Sequence, residues 1–175
     1  MNATPPGTSR AASGRSLLAT AFSTDPSSLG TDIAAVSVRI VVVWIFIYYG
    51  AGKLFGAFNG PGIHQTSLFM ASTAQLHPGG LFAVVAGVIE FGGALALALG
   101  LASRFAAAAL LVDQVIAMVT VTWAHGLSSS TTAGYELNLA LAAMALVIVG
   151  LGAGRPSLDA IIGRRFLARS DNDLP

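Results

Sequence analysis

Four apolar runs, each close to the length of a membrane-crossing helix, divide the chain at about residues 33–54, 80–102, 104–124 and 135–152. About 20 residues at 1.5 Å each cross the hydrocarbon of a bilayer, so each run predicts one span. Between spans one and two lies a long connection, residues 55–80, which exceeds ordinary loop lengths; its segment 64–76 predicts a short surface helix. The turns after spans two and three are short: Ala102-Ser103-Arg104, and Ser128 to Thr132. Thr31 and Asp32 read as the N-cap of span one.

Polar residues interrupt this pattern at few places. Residues 81–101 hold one charge, Glu90, near the middle. A carboxylate there costs at least ~2.5 kcal/mol if it faces lipid, so Glu90 faces other helices. Gly87, Gly92, Gly93 and Ala94 beside it let a neighbouring helix approach. Counted along the helix from the terminal side, Arg39 lies ~10 Å in, Asp113 ~13 Å in and Glu90 ~18 Å in. Those depths suit an Arg39–Asp113 ion pair with Glu90 in reach of either. The pair reads either as a packing device that fixes helix register or as the wall of a pocket for a small molecule or a proton. Lys53, His125 and Glu136, with Tyr49, fall together near the other face. Trp44, Tyr48, Tyr49 and Trp123 read as belt aromatics at the interfaces.

The flanks differ from the spans. Residues 1–31 are rich in Ser, Thr, Pro, Gly and Ala and predict a disordered tail. Residues 16–22 are too short an apolar stretch to suggest a cleaved signal. Residues 32–155 form one transmembrane domain. Over 156–169, Leu158, Ile161, Ile162 and Phe166 recur at helical spacing beside Arg164, Arg165 and Arg169, predicting a basic amphipathic helix on a lipid surface, followed by a tail over 170–175. The expected fold is therefore all-α, a four-helix transmembrane bundle.

Charge placement gives the orientation. Arg10, Arg15, Arg104, Arg155, Arg164, Arg165 and Arg169 lie on the side of the termini; Lys53 alone lies on the other. The positive-inside rule puts both termini in the cytoplasm.

Composition agrees. Hydrophobic residues make up 54% and charged residues 10% of the 175, where a soluble domain carries roughly 25% charged. The mean hydropathy is +0.74. The absence of cysteine excludes thiolate nucleophiles, iron–sulfur clusters and c-type haem attachment. His64, His77 and His125 share a side, but no pair has the spacing of a helical metal site, so no metal is expected. No nucleotide-binding loop or hydrolase motif is present, and no nucleic acid is expected as a partner.

Several segments together resemble the DoxX family over about residues 33–160. They are Arg39, Tyr49-Gly50-Ala51-Gly52-Lys53-Leu54, Glu90-Phe91-Gly92-Gly93-Ala94-Leu95, Leu99 to Ala107, Gly134-Tyr135-Glu136 and Gly154-Arg155-Pro156-Ser157-Leu158-Asp159. Where the family typically has a His before the first motif glycine, this chain has Tyr49. The resemblance implies a small four-helix protein of the bacterial cytoplasmic membrane. Relatives include membrane subunits of thiosulfate:quinone oxidoreductases, and others look like anchors that gather a sulfurtransferase and a superoxide dismutase into an oxidative-stress complex. On this reading the chain is at most the membrane subunit of a quinone-linked oxidoreductase. Glu90, Arg39 and Asp113 would form a buried polar core against a quinone head, and Arg104, Arg155 and Asp159 a cytoplasmic docking edge. A scaffold without chemistry and a small proton-coupled carrier remain open as alternatives, as does a homo-oligomer.

Overall fold

The computed structural model describes residues 28–128, 133–152, 154 and 157–159. The described residues are helical, with no strand among them. Helix α1 is Ser28–Phe55, α2 Gly62–Ser72, α3 Gly79–Leu99, α4 Ser103–Ala117 and α5 Glu136–Leu151. A 3-10 turn at Ala57–Asn59 links α1 to α2. Helix α4 runs on through a π-helical turn, Met118–Thr122, and a 3-10 turn, Trp123–His125. The expected tail over 1–31 and the basic helix over 156–169 lie almost wholly outside the described residues, as does Arg155.

Three helices are long and apolar enough to cross a membrane: Leu29–Phe55, Gly79–Leu99 and the continuous Ser103–His125. The fourth run gives a shorter apolar helix, Glu136–Leu151. Helix α1 starts earlier than expected, so Thr31 and Asp32 lie within its opening turns rather than capping it.

Buried positions follow a seam. In α3 they are Gly79, Ala83, Gly87, Glu90, Ala94 and Leu97; in α4 they are Ser103, Ala107, Leu110 and Gln114. Steps of three and four keep one stripe turned inward. Against these stripes pack Val42 and Phe46 of α1 and Leu141 and Ile148 of α5, forming one apolar core. The outer surface is apolar too, with Trp44 and Phe105 the most exposed of its large side chains. Such a surface suits lipid, not water.

The register of α1 on α3 shapes the rest. Gly50 stands level with Phe91, and Leu54 with Gly87. A Cβ on Gly50 would lie 2.5 Å from the Phe91 backbone nitrogen, so this crossing requires glycine. Because α3 begins at Gly79, α1 stops about 10 Å short of that end of the bundle. Helix α2 fills the gap: Gly79 packs directly on the Ser67 carbonyl and Ala71. The long connection is thus a short helix seated against the first turns of α3.

At the opposite end, α3 terminates at Gly100, with φ of 64°. The Leu101 N–H donates to the Ala96 carbonyl at 2.8 Å, the pattern that closes a helix around a left-handed residue. Asp159 then bridges this turn. The Ala102 and Ser103 N–H groups donate to its two carboxylate oxygens at 2.7 and 2.9 Å, and its own N–H donates to the Gly100 carbonyl. The start of α4, which has no cap of its own, is capped from 57 residues away.

Candidate functional site

Glu90 and Asp113 meet because the α3–α4 hairpin is symmetric. Each lies ten residues from its end of the turn, Glu90 before Gly100 and Asp113 after Ser103. One turn nearer the hairpin, Gly93 is packed against Leu110. Moving one turn up both helices on the same face brings Glu90 opposite Asp113, and both line the same cavity.

Lys53 completes the cluster. Its ammonium donates to Glu90 Oε1 at 2.5 Å. The early end of α1 makes this reach natural, since Lys53, two residues from that end, sits inside the bundle rather than at its rim. Glu90 is 3% exposed and the Lys53 side chain 24%. The Thr66 hydroxyl of α2 donates to the Gly62 carbonyl at 2.7 Å, with the Lys53 carbonyl 3.5 Å away.

A row of amides extends the cluster to α5. Thr122, on the π-helical turn, donates to Asn138 Oδ1 at 3.1 Å. Asn138 Nδ2 donates to Gln114 Oε1 at 2.9 Å, and Gln114 Nε2 donates to Asp113 Oδ2 at 3.1 Å. Such π turns interrupt α-helices frequently at functional sites. Here the turn closes the row on α5.

These groups floor a cavity of about 840 Å³ whose walls come from all five helices. The walls are largely apolar or aromatic, including Phe46, Phe69, Phe82, Val85, Ile89 and Leu141. Tyr48, Tyr49 and Phe58 form its aromatic edge, with Tyr48 stacked on Phe58 at 5.2 Å and edge-on to Tyr49 at 5.4 Å.

The expected residues are therefore regrouped. Glu90 and Asp113 come together, but the cation beside Glu90 is Lys53, not Arg39. The Arg39 guanidinium lies against Gly100, about 15 Å along α3 from Glu90. The helix-count depth of Arg39 was misleading because α1 overshoots the α3–α4 turn. His125 is exposed and Glu136 accepts a hydrogen bond from Ser128 at 3.1 Å; neither lines the cavity. Tyr49 does. Arg104 donates to the Gly150 carbonyl at 3.3 Å near the end of α5, and Asp159 caps α4, so both are engaged within the chain. Partial burial pushes the Asp159 carboxyl up, but hydrogen bonds from Ser103 and the Ala102 N–H outweigh it and hold the pKa below the ordinary value. No group of three or more His, Asp or Glu able to hold a metal occurs among the described residues.

The sequence reading passed over Gln114, Asn138, Thr122 and Thr66. A usable signal was present: an amide inside an apolar helix finds a partner on a neighbouring helix.

Long apolar helices around a buried polar floor define a multi-pass membrane protein with a partly open cavity between its helices. The sequence model of the DoxX family matches residues 34–123, and the chain belongs to that family. No curated protein and no solved structure gives a significant match.

Proposed function

We propose that the chain is a four-span membrane subunit, with both termini in the cytoplasm, that holds a quinone head in its cavity as part of a redox complex. The observation that carries this reading is the cavity itself: apolar and aromatic walls around one polar floor of Lys53, Glu90, Asp113 and Gln114. Its volume falls in the ~300–1,000 Å³ range of small-molecule sites, and a few polar groups in an apolar pocket fix a ligand's orientation. A flat ring with two oxygens and an apolar tail matches that division. The aromatic edge, Tyr48 of α1 and Phe58 of the 3-10 turn after it, is exposed, so a lipid-dissolved ligand can arrive there. The orientation rests on the Lys and Arg asymmetry. A sulfurtransferase, a superoxide dismutase or an oxidoreductase subunit would dock on the cytoplasmic face, beside the α3–α4 turn.

The test is titration of the purified chain in lipid nanodiscs with a short-chain benzoquinone, followed by quenching of tyrosine and tryptophan fluorescence. The reading predicts saturable binding that weakens at least about tenfold in Lys53→Met, the loss of one charged hydrogen-bond donor. Unsaturable partitioning, equal in both proteins, would contradict it.

A further inference from the structure

Glu90 presents an unusual pair of oxygens. Oε1 takes the Lys53 ammonium. Oε2 is buried and has no hydrogen-bond partner among the described residues, although it belongs to a side chain that is 3% exposed and lines the cavity. Opposite it stands Asp113, a second carboxylate. Two ionised carboxylates offer only acceptors and cannot bond to each other without a proton.

The charge count has the same shape. Fully ionised, the floor holds two negative charges and one positive, surrounded by apolar walls, where uncompensated charge is costly. Among the described residues no other facing group supplies a second cation. Helix α1 contributes Lys53 and the phenols of Tyr48 and Tyr49; α2 contributes Gln65 and Thr66; α5 contributes Asn138. Arg39 is about 15 Å away along the bundle.

We infer that Glu90 and Asp113 share one exchangeable proton at the cavity floor, and that this proton is offered to a neutral, carbonyl-bearing ligand head. The ligand half of the inference rests on the quinone reading above; the proton half does not.

The amide row ends on Asp113. The Thr122 hydroxyl reaches both Asn138 Oδ1 and the Met118 carbonyl, Asn138 Nδ2 donates to Gln114 Oε1, and Gln114 Nε2 donates to Asp113 Oδ2. One Asp113 oxygen is thereby engaged by Gln114, and the shared proton lies between Asp113 and the orphan Oε2 of Glu90 while Lys53 stays on Oε1. A ligand carbonyl that parts the two carboxyls takes its hydrogen bond from that proton. With the proton gone, the same carbonyl would face a bare carboxylate. Binding and protonation are thus linked: above the titration of the pair, affinity falls about tenfold for each pH unit.

The experiment has two readouts on the full-length chain in lipid nanodiscs. Infrared difference spectra across a pH titration report the C=O stretch of a buried carboxylic acid, identified by its shift in D2O. Binding of a short-chain benzoquinone is measured at the same pH values. The inference predicts a band in the wild type that disappears in both Glu90→Gln and Asp113→Asn, with each variant checked for its helical circular dichroism and monodisperse elution. It also predicts that Glu90→Gln, whose amide is a permanent donor, binds the benzoquinone without the tenfold-per-unit decline. Absence of the band while the benzoquinone still binds overturns the shared proton and leaves the quinone reading standing. A band with no benzoquinone binding at any pH upholds the shared proton and overturns the quinone reading with its ligand half. A band that survives both substitutions places the proton elsewhere and overturns the assignment.

Discussion

Lys53 of α1 and Glu90 of α3 form a 2.5 Å ion pair in the interior of the bundle, 37 positions apart in the chain. The pair exists because α1 ends early and α2 closes the space beyond it. Removing one partner of a buried pair leaves the other charge uncompensated, whereas removing both does not. Lys53→Met therefore lowers stability by about 3 kcal/mol. The double variant Lys53→Met, Glu90→Leu recovers most of that loss. A double-mutant cycle on thermal unfolding in detergent checks the coupling; equal losses in the single and double variants would remove the pair from the account.

Gly50 and Gly92 make a matched test of the α1–α3 crossing. A Cβ on Gly50 meets the Phe91 backbone at 2.5 Å, while one on Gly92 meets nothing within 4 Å. Gly50→Ala forces the helices apart and costs about 1–3 kcal/mol. Gly92→Ala is neutral or slightly stabilising through helix propensity. Thermal half-lives of the two variants in one detergent decide the matter, and similar behaviour would show that the crossing is looser than described.

Asp159 stabilises the α3–α4 turn through two N–H groups at the start of α4. Asp159→Ala costs ~1 kcal/mol, as for other lost helix caps. Its pKa is lowered on folding, so the ionised carboxylate is the stabilising form. That contribution is complete above the ordinary Asp value, ~4, and is lost as pH falls through the lower folded value. The wild type and Asp159→Ala should therefore converge in stability at strongly acid pH. A constant gap down to the lowest pH at which both fold would contradict the capping role.

Asn138 ties α5 to α4 by accepting from Thr122 and donating to Gln114. Asn138→Leu keeps the branched shape, though not the volume, and strands the Gln114 oxygen in an apolar setting, at a cost of about 1–3 kcal/mol. Unfolding temperatures should fall, and unchanged values would mean that Gln114 finds another partner.

Much of this was legible in the chain. The apolar runs located α1, α3, α4 and α5, and a carboxylate centred in α3 marked the interior. Asp113 was also visible, because a charge nine residues into an apolar helix must be sheltered. The partner of Glu90 was not. Depth counted from helix ends assumes that every helix spans the same thickness, and α1 does not share its limits with α3. That offset moved Arg39 outward to the α3–α4 turn and Lys53 inward to the cavity floor. The offset depends on glycine contacts, Gly50 on Phe91 and Gly60 on Gly52, which are pairings across the fold that spacing along one chain does not encode. The capping role of Asp159 was hidden for the same reason: its partners lie more than 50 residues earlier.

The central claim is that a quinone head reaches the floor between Lys53, Glu90 and Asp113. The most direct measurement is photolabelling of the purified chain in nanodiscs with a benzoquinone carrying a photoreactive group on its ring, followed by peptide mass spectrometry. The account predicts labels on cavity-lining segments, around Tyr49 in α1, Phe82 to Glu90 in α3 and Val112 to Ala117 in α4, competed away by excess unlabelled quinone. Labels confined to outward-facing positions such as Trp44 and Phe105, unaffected by competitor, would contradict it.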